Sequence, residues 1–518
     1  MAELGHRERG TSPAGSGADE VWAGIERLLA DRGPVFLASR RWFGDKARRI
    51  VSIEPIDSVI VPVGLDLFIP TIARVWFADG GQERYFVPLV ITAAPVDDGG
   101  ALGTITGADG TRVVAEAIAV EPFRDWLLDR LVSHVSVPML HGTLTFTPTS
   151  VLEDYVAAAR SGPSRVVSGE QSNSSIVYGD TAILKAFRKL RSGTNPDIEI
   201  GRFLTDETGF THAPPLLGAI EYAGDDGDIV SIAVLQLFIP SSGDAWTALL
   251  DDLGELVRTP DPQRGESVER LTAGAALLGR RTGDLHVALA GATTGHAMAP
   301  ETITAADVAA WAATLAREVE RFLAEEDERS PARPGQPDTS RPNLGISSAA
   351  TGYQGLVGSA KIRVHGDYHL GQVLHTLTGD VVILDFEGEP SRPVEERRRK
   401  TSPLKDVAGM LRSFTYARVA TARSVSAGDA SGAEAALRSW EDAARHAFIG
   451  AYRDTTASSP VPLYPTDTPV FDRALRAWEV EKAIYEVGYE RNNRPDWLHH
   501  VLATLDRLSA PEETSPAG

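Results

Sequence analysis

The stretch Val364-His365-Gly366-Asp367-Tyr368-His369-Leu370-Gly371-Gln372 holds the chain's most concentrated chemistry. An apolar run ends in His-Gly-Asp, and a carboxamide follows at Gln372. A second apolar run then ends in Asp385-Phe386-Glu387-Gly388. This ordered set suits phosphoryl transfer, which needs a base for the attacking hydroxyl and hard oxygen ligands for Mg²⁺. In that chemistry Asp367 is the base and His365 braces its loop. Gln372 and Asp385 hold the metal, with Glu387 able to assist from the same loop. Taken singly, Asp367 and Asp385 read equally well as turn caps after strands. The two histidines flanking Asp367 lack the third clustered ligand that a zinc-type site requires.

Phosphoryl transfer from a nucleotide also demands a cation on the phosphates and an acid to orient it. Lys185 lies inside the apolar strand Ala182-Ile183-Leu184-Lys185-Ala186-Phe187, and Glu199 lies one turn into the next helical stretch. Alone, Lys185 is a lysine snorkelling at a strand edge; its order relative to the later motifs makes it a phosphate ligand. Gly169-Glu170-Gln171-Ser172-Asn173-Ser174-Ser175 precedes that strand. Gln171, Ser172, Ser174 and Ser175 are expected to present polar groups to ATP. There is no Walker A sequence and no Gly-x-Gly-x-x-Gly, which argues against P-loop and Rossmann enzymes.

Two later constellations point to a sugar acceptor. Asp406 falls in the first turn of the helix opened by Pro403-Leu404-Lys405; it either favours the helix dipole or reaches the substrate pocket. Trp478, Lys482, Tyr485 and Tyr489 share one face of a late helix. Aromatic rings beside polar groups suit sugars, and an ordinary half-buried helix gives the same periodicity. Glu395-Glu396-Arg397-Arg398-Arg399-Lys400 reads as a solvated charge run, with an Arg near the phosphates as the other reading.

The elements that must position these groups follow from patterning. The chain has 518 residues, 51 Lys+Arg, 71 Asp+Glu, a formal net charge of −20 and no Cys. The length allows a large two-lobed protein or about three domains. The absence of Cys excludes disulfides, thiolate zinc sites and Cys nucleophiles. The acidic balance argues against a nucleic-acid partner. The longest apolar stretch, Ile229 to Pro240, is too short and interrupted to span a membrane, and a cytoplasmic location is expected.

Helical spacing predicts a first helix over residues 18–31 and a clear one over 305–325. Strands are expected over 50–60, 67–76 and 84–91, a hairpin over 174–187, and short strands over 361–364 and 381–384. Residues 1–17, 330–345 and 509–518 read as a tail, a loop and a tail. Expected domains are a mostly β cap over 18–140, a strand-rich lobe over 141–240 and a helical lobe over 241–508.

The chain resembles the bacterial maltokinases, relatives of the aminoglycoside phosphotransferases. The resemblance is carried by Arg41-Trp42-Phe43-Gly44, Glu170 to Ser175, Ile183-Leu184-Lys185, Asn195-Pro196-Asp197-Ile198-Glu199 and His365 to Gln372. It continues through Asp385-Phe386-Glu387-Gly388-Glu389-Pro390, Ser402 to Leu411, Tyr485-Glu486 and Asn493-Arg494-Pro495-Asp496-Trp497. It implies an α+β, bilobal, protein-kinase-like (aminoglycoside phosphotransferase-like) fold with a mostly β N-terminal cap. It also implies Mg²⁺-dependent transfer of the ATP γ-phosphate to the anomeric hydroxyl of maltose, giving maltose 1-phosphate for α-glucan and glycogen synthesis. Asp406, Lys482, Tyr485, Tyr489 and Arg494 become expected sugar contacts. The Asp385–Pro390 form resembles kinase domains fused to trehalose synthase, which suggests a functional link to that enzyme. His499-His500-Val501 stands where maltokinases usually carry Ile-Pro-Leu. Related maltokinase-like proteins phosphorylate glucosamine, so an amino-sugar or aminoglycoside kinase is the alternative.

Overall fold

The computed structural model describes residues 16–96, 100–107, 110–167, 172–329, 346–425 and 430–509. Residues 1–15, 330–345 and 510–518, expected to be tails and a loop, lie outside that set, as does Gln171. The chain divides into two compact units. One runs to Ile198 and includes Pro215–Phe238; the other takes in Glu199–Pro214 and everything from Ile239.

The first unit opens with helix Ser16–Ser39, which continues well past residue 31 despite Pro34 in its interior. Burial of Phe36 and Leu37 offsets the hydrogen bond that Pro34 cannot donate. The expected long strands are cut shorter. Asp66–Ile69 and Thr71–Phe77 are separated at Pro70, and Gln82–Phe86 and Leu89–Thr92 flank Pro88, because proline removes a ladder donor. Two antiparallel sheets result. One has the order Ile50–Ser58, Thr71–Phe77, Gln82–Phe86, Lys189–Leu190; the other has Val61–Val63, Asp66–Ile69, Leu89–Thr92, Gly110–Glu116, Ala101–Gly107. Trp42, Phe43, Phe77 and Tyr85 form an aromatic cluster in the core beneath the helix.

The same unit carries a seven-stranded sheet, ordered Ser164–Val167, Asn173–Tyr178, Ala182–Phe187, Ile229–Leu237, Leu216–Gly224, Gly142–Pro148, Ser136–Pro138. The expected hairpin is its second and third strands, with Ser175 opposite Lys185 and Ser174 opposite Ala186. Gly179 and Asp180 both have positive φ, 52° and 48°, and the Thr181 N–H donates to the Tyr178 carbonyl at 2.9 Å, closing a tight turn between the paired residues Tyr178 and Ala182.

The second unit is helical: Ala245–Arg258, Asp261–Ala290, Ala305–Arg329, Leu404–Ser424, Ala430–Thr456, Thr468–Asn493 and Leu498–Ser509 are its long members. Helix Asp261–Ala290 lies tightly on Ala430–Thr456. A Cβ at Gly279 would sit 2.3 Å from the Phe448 carbonyl oxygen, so glycine is what permits the approach. The expected strand over 361–364 is reduced to Ala360–Lys361, paired with Glu301–Thr302, while Val381–Ile383 pairs with Val373–Thr376. Among the described residues no helix is long and apolar enough to cross a membrane.

Candidate active site

The loop carrying Asp367 is held from beneath by Asp406. That aspartate sits in the first turn of helix Leu404–Ser424 and is 1% exposed. Its two carboxylate oxygens accept from the backbone N–H of His365 (2.8 Å) and Gly366 (2.9 Å), and Oδ2 lies 3.1 Å from His286 Nε2. His286 Nδ1 in turn lies 3.0 Å from the Tyr452 hydroxyl. Burial works to raise the Asp406 pKa, yet the bonds from His286 and Gly366 and the charge of His365 hold it below the usual range. Asp406 therefore shapes the loop from inside the core. The expectation that it contacts sugar is corrected by this burial and by its occupied oxygens.

His365 reaches forward. Its Nε2 is 2.8 Å from the Leu384 carbonyl, and its ring packs on Phe386 at 5.1 Å. It joins the two motif loops. The loops also touch at glycines: a Cβ on Gly366 would lie 3.2 Å from Gly388 Cα, and both residues have positive φ.

Asp367 faces Lys482. The ammonium Nζ lies 3.0 Å from Asp367 Oδ1 and 3.1 Å from Glu389 Oε1. Burial disfavours the charged lysine, but the carboxylates of Asp367, Glu389 and Glu486 outweigh it and raise its pKa. Burial would likewise raise Glu389, yet Lys405, Lys482 and Arg392 hold it at about 2. Arg392 bonds Glu389 and Glu396 and reaches Glu481 at 3.2 Å. Tyr485 extends this surface, with its hydroxyl 3.3 Å from Ser391 Oγ and its ring 4.7 Å from Lys482 Nζ. A cleft of about 530 Å³ adjoins the loops at Gly366 and Gly388 and takes in Glu389, Arg392, Lys405 and Glu481.

Gln372 and Asp385 come together. The Gln372 Nε2 donates to Asp385 Oδ2 at 3.1 Å, and the Leu384 N–H donates to the Gln372 carbonyl at 2.8 Å. Asp385 has φ +64°, an uncommon backbone for a residue with a Cβ and one that concentrates at functional sites. Glu387 is steadied by Arg397, whose Nη1 donates to its carbonyl at 2.9 Å. A carboxamide and two carboxylates supply hard oxygen donors, so these residues fit Mg²⁺.

Other expected residues are differently placed. Trp478 is 3% exposed and packs on Trp311 and Tyr353 with centroids at 5.2 and 4.9 Å; it is core, not part of an open sugar-binding face. Tyr489 is 50% exposed. Arg494 bonds Glu490 and lies 4.9 Å from the Trp497 ring. Glu199 is bonded by Arg363 at 2.9 Å and by Arg398, while Lys185 belongs to the other unit, opposite Ser175. The basic run is not simply solvated: Arg398 pairs with Glu199 and Lys400 with Glu301. Ser172 is exposed. Ser174 is buried, and its Oγ accepts from Arg188 Nε at 2.8 Å, so the hydroxyl expected on ATP is directed to an arginine. Glu389, His286 and Arg188 were not anticipated. Glu389 could have been found as an acid inside the Asp385–Pro390 motif; His286, a lone histidine between Leu285 and Leu289, gave no signal.

Residues 36–119 match the family model of the maltokinase N-terminal cap domain. Among curated proteins, the chain is 27% identical over 413 residues to a glucosamine kinase of Streptacidiphilus jiangxiensis, covering 78% of this chain and 87% of the relative. It is also 27% identical over 349 residues to a glucosamine kinase of Mycolicibacterium smegmatis (strain ATCC 700084 / mc(2)155), covering 66% and 79%. A solved glucosamine kinase in complex with glucosamine, ADP and inorganic phosphate superposes with a TM-score of 0.62 at 23% identity, over 94% of this chain and 99% of that one. The fold is therefore a mixed helix-and-sheet kinase fold. The chain carries a maltokinase-type N-terminal cap on it, and its curated relatives are kinases.

Proposed function

We propose that the protein is an ATP-dependent sugar kinase that phosphorylates the anomeric hydroxyl of maltose, giving maltose 1-phosphate for α-glucan and glycogen synthesis. The observation that carries this reading is Asp367, presented by a loop tied down at His365 and Gly366 and joined through His365 to the Leu384 carbonyl, next to the paired oxygen donors Asp385 and Gln372. The acceptor hydroxyl gives its proton to Asp367 as its oxygen bonds the γ-phosphorus, and the bond to the ADP oxygen breaks. Gln372, Asp385 and Glu387 would hold Mg²⁺, which when bound neutralises phosphate charge. Lys185 pairs with the phosphates and Glu199 orients it, while Gln171, Ser172 and Ser175 line the nucleotide. Tyr485, Tyr489, Lys482 and Arg494 bind the sugar. A cytoplasmic location and a functional link to trehalose synthase belong to the same reading.

The charge balance supports a neutral acceptor. Glu481 is matched by Arg392 and Lys405, Glu486 by Arg412 and Glu490 by Arg494. Each of these helix carboxylates thus has an internal cation, and the group beside Asp367 is itself an ammonium. Glucosamine is the second reading, favoured by the names of the curated relatives. ADP release with ATP and Mg²⁺ against maltose, glucosamine, glucose and kanamycin tests both. Turnover with maltose alone is the expected result, turnover with glucosamine alone replaces the acceptor, and no turnover with any of the four rejects maltose and glucosamine alike.

A further inference from the structure

The buried guanidinium of Arg188 is 1% exposed, and each of its nitrogens is used. Nη2 bonds Glu116, Nη1 donates to the Phe86 carbonyl at 3.3 Å and Nε donates to Ser174 Oγ at 2.8 Å. The planar group lies 4.4 Å from the Trp42 ring, whose Nε1 donates to the same Glu116 at 2.9 Å. The Phe86 N–H returns a bond to the Arg188 carbonyl at 2.9 Å. One arginine thus joins residues of the cap to Ser174, the neighbour of Ser175 on the hairpin strand that faces Lys185.

We propose that Trp42, Glu116 and Arg188 are positioning residues for nucleotide binding, setting the hairpin strand of Ser174 and Ser175 from within the N-terminal cap; this rests on the kinase reading above. A buried guanidinium cannot give up a partner without leaving charge or a donor unmet. A change at Trp42 or Glu116 is therefore passed to Ser174 rather than absorbed. Ser174 acts through Arg188, not by touching ATP.

The test uses the full chain with Trp42→Phe, which removes one donor and keeps a ring, and with Ser174→Ala, Ser174→Thr and the double variant Trp42→Phe/Ser174→Ala. ATP affinity is measured by calorimetry with Mg²⁺ and no sugar, beside KM for ATP, KM for the sugar, and Tm. Trp42→Phe and Ser174→Ala are each expected to weaken ATP binding about fivefold, with the sugar KM held. Ser174→Thr, which retains the hydroxyl, recovers most of the loss. The double variant falls short of the product of the singles, because both cut one chain of contacts. Additive singles, or a fall in Tm with ATP affinity unchanged, would overturn the proposal. A wild-type chain that binds no ATP removes the kinase reading itself, an outcome distinct from wild-type binding that the variants leave unaltered.

Discussion

Lys482 Nζ lies 3.0 Å from Asp367 Oδ1 and bridges it to Glu389. The residue meant to take the acceptor's proton therefore has a fixed positive neighbour, raised in pKa by the carboxylates around it. In the proposed kinase reading, that neighbour sets which acceptors can approach. A neutral sugar hydroxyl gains a hydrogen-bond donor beside Asp367, whereas an ammonium-bearing sugar meets like charge.

Lys482→Met keeps much of the side-chain volume and removes the charge. The ratio of kcat/KM for glucosamine to that for maltose is expected to rise about tenfold, with the maltose KM also increased. An unchanged ratio, measured by coupled ADP release, would mean that Lys482 does not govern acceptor charge.

Asp367→Asn keeps the shape of the loop and removes the carboxylate proposed as the base. Turnover is expected to fall about 10²–10⁴-fold, with ATP affinity near the wild-type value. Calorimetry with ATP and Mg²⁺ beside single-turnover kinetics separates the two quantities. Retained turnover would remove Asp367 from the role of base.

Local order made part of this site legible. His365, Asp367 and Gln372 sit within one short segment, so their arrangement follows from sequence spacing and a loop. The hairpin turn at Gly179-Asp180 was readable because few residue pairs adopt two successive positive φ angles. Asp406 was read only in part. Its bonds cross some forty residues to His365 and Gly366 and more than a hundred to His286, and its helix position does not show which side faces the loop. Trp478 misled for a related reason. Helical spacing placed it with Tyr485 and Tyr489, yet Trp311 and Tyr353 arrive from distant segments to bury it.

Gly409 offers a test of how closely the loop is seated. It is buried on helix Leu404–Ser424, and a Cβ there would lie 2.6 Å from the Tyr368 carbonyl oxygen, one residue beyond Asp367. The clash is with backbone, so Gly409→Ala must displace the loop. Activity is expected to drop about 10–100-fold, the range for small misplacements of a reacting group. Gly450→Ala is the control. Gly450 is an exposed residue of helix Ala430–Thr456 with nothing within 4 Å of its added Cβ, and alanine there should stabilise the fold by about 0.5–1 kcal/mol. Equal activities for the two variants would show that the loop tolerates the displacement.

Glu441 yields a pH dependence away from the reacting groups. It is 6% exposed and accepts from Thr415 Oγ1 and Arg418 Nε on the neighbouring helix. Burial works to raise its pKa, but the Thr415 bond and the charges of Arg418 and Arg445 prevail and hold it below the ordinary 4.5. Because the folded pKa is depressed, the stabilisation is fully present above the unfolded pKa. It is lost as acidification carries the pH from there down through the folded value. Glu441→Gln should therefore cost about 1–2 kcal/mol at pH 7, where Arg418 keeps Glu434 at 2.9 Å but loses the buried carboxylate of Glu441. The gap between wild type and variant should narrow as the pH falls below about 4.5. Urea unfolding of both proteins at pH 7, 5 and 4 reads that gap directly. A gap that stays constant over this range would mean that the ionised carboxylate contributes nothing specific to the pairing of these two helices.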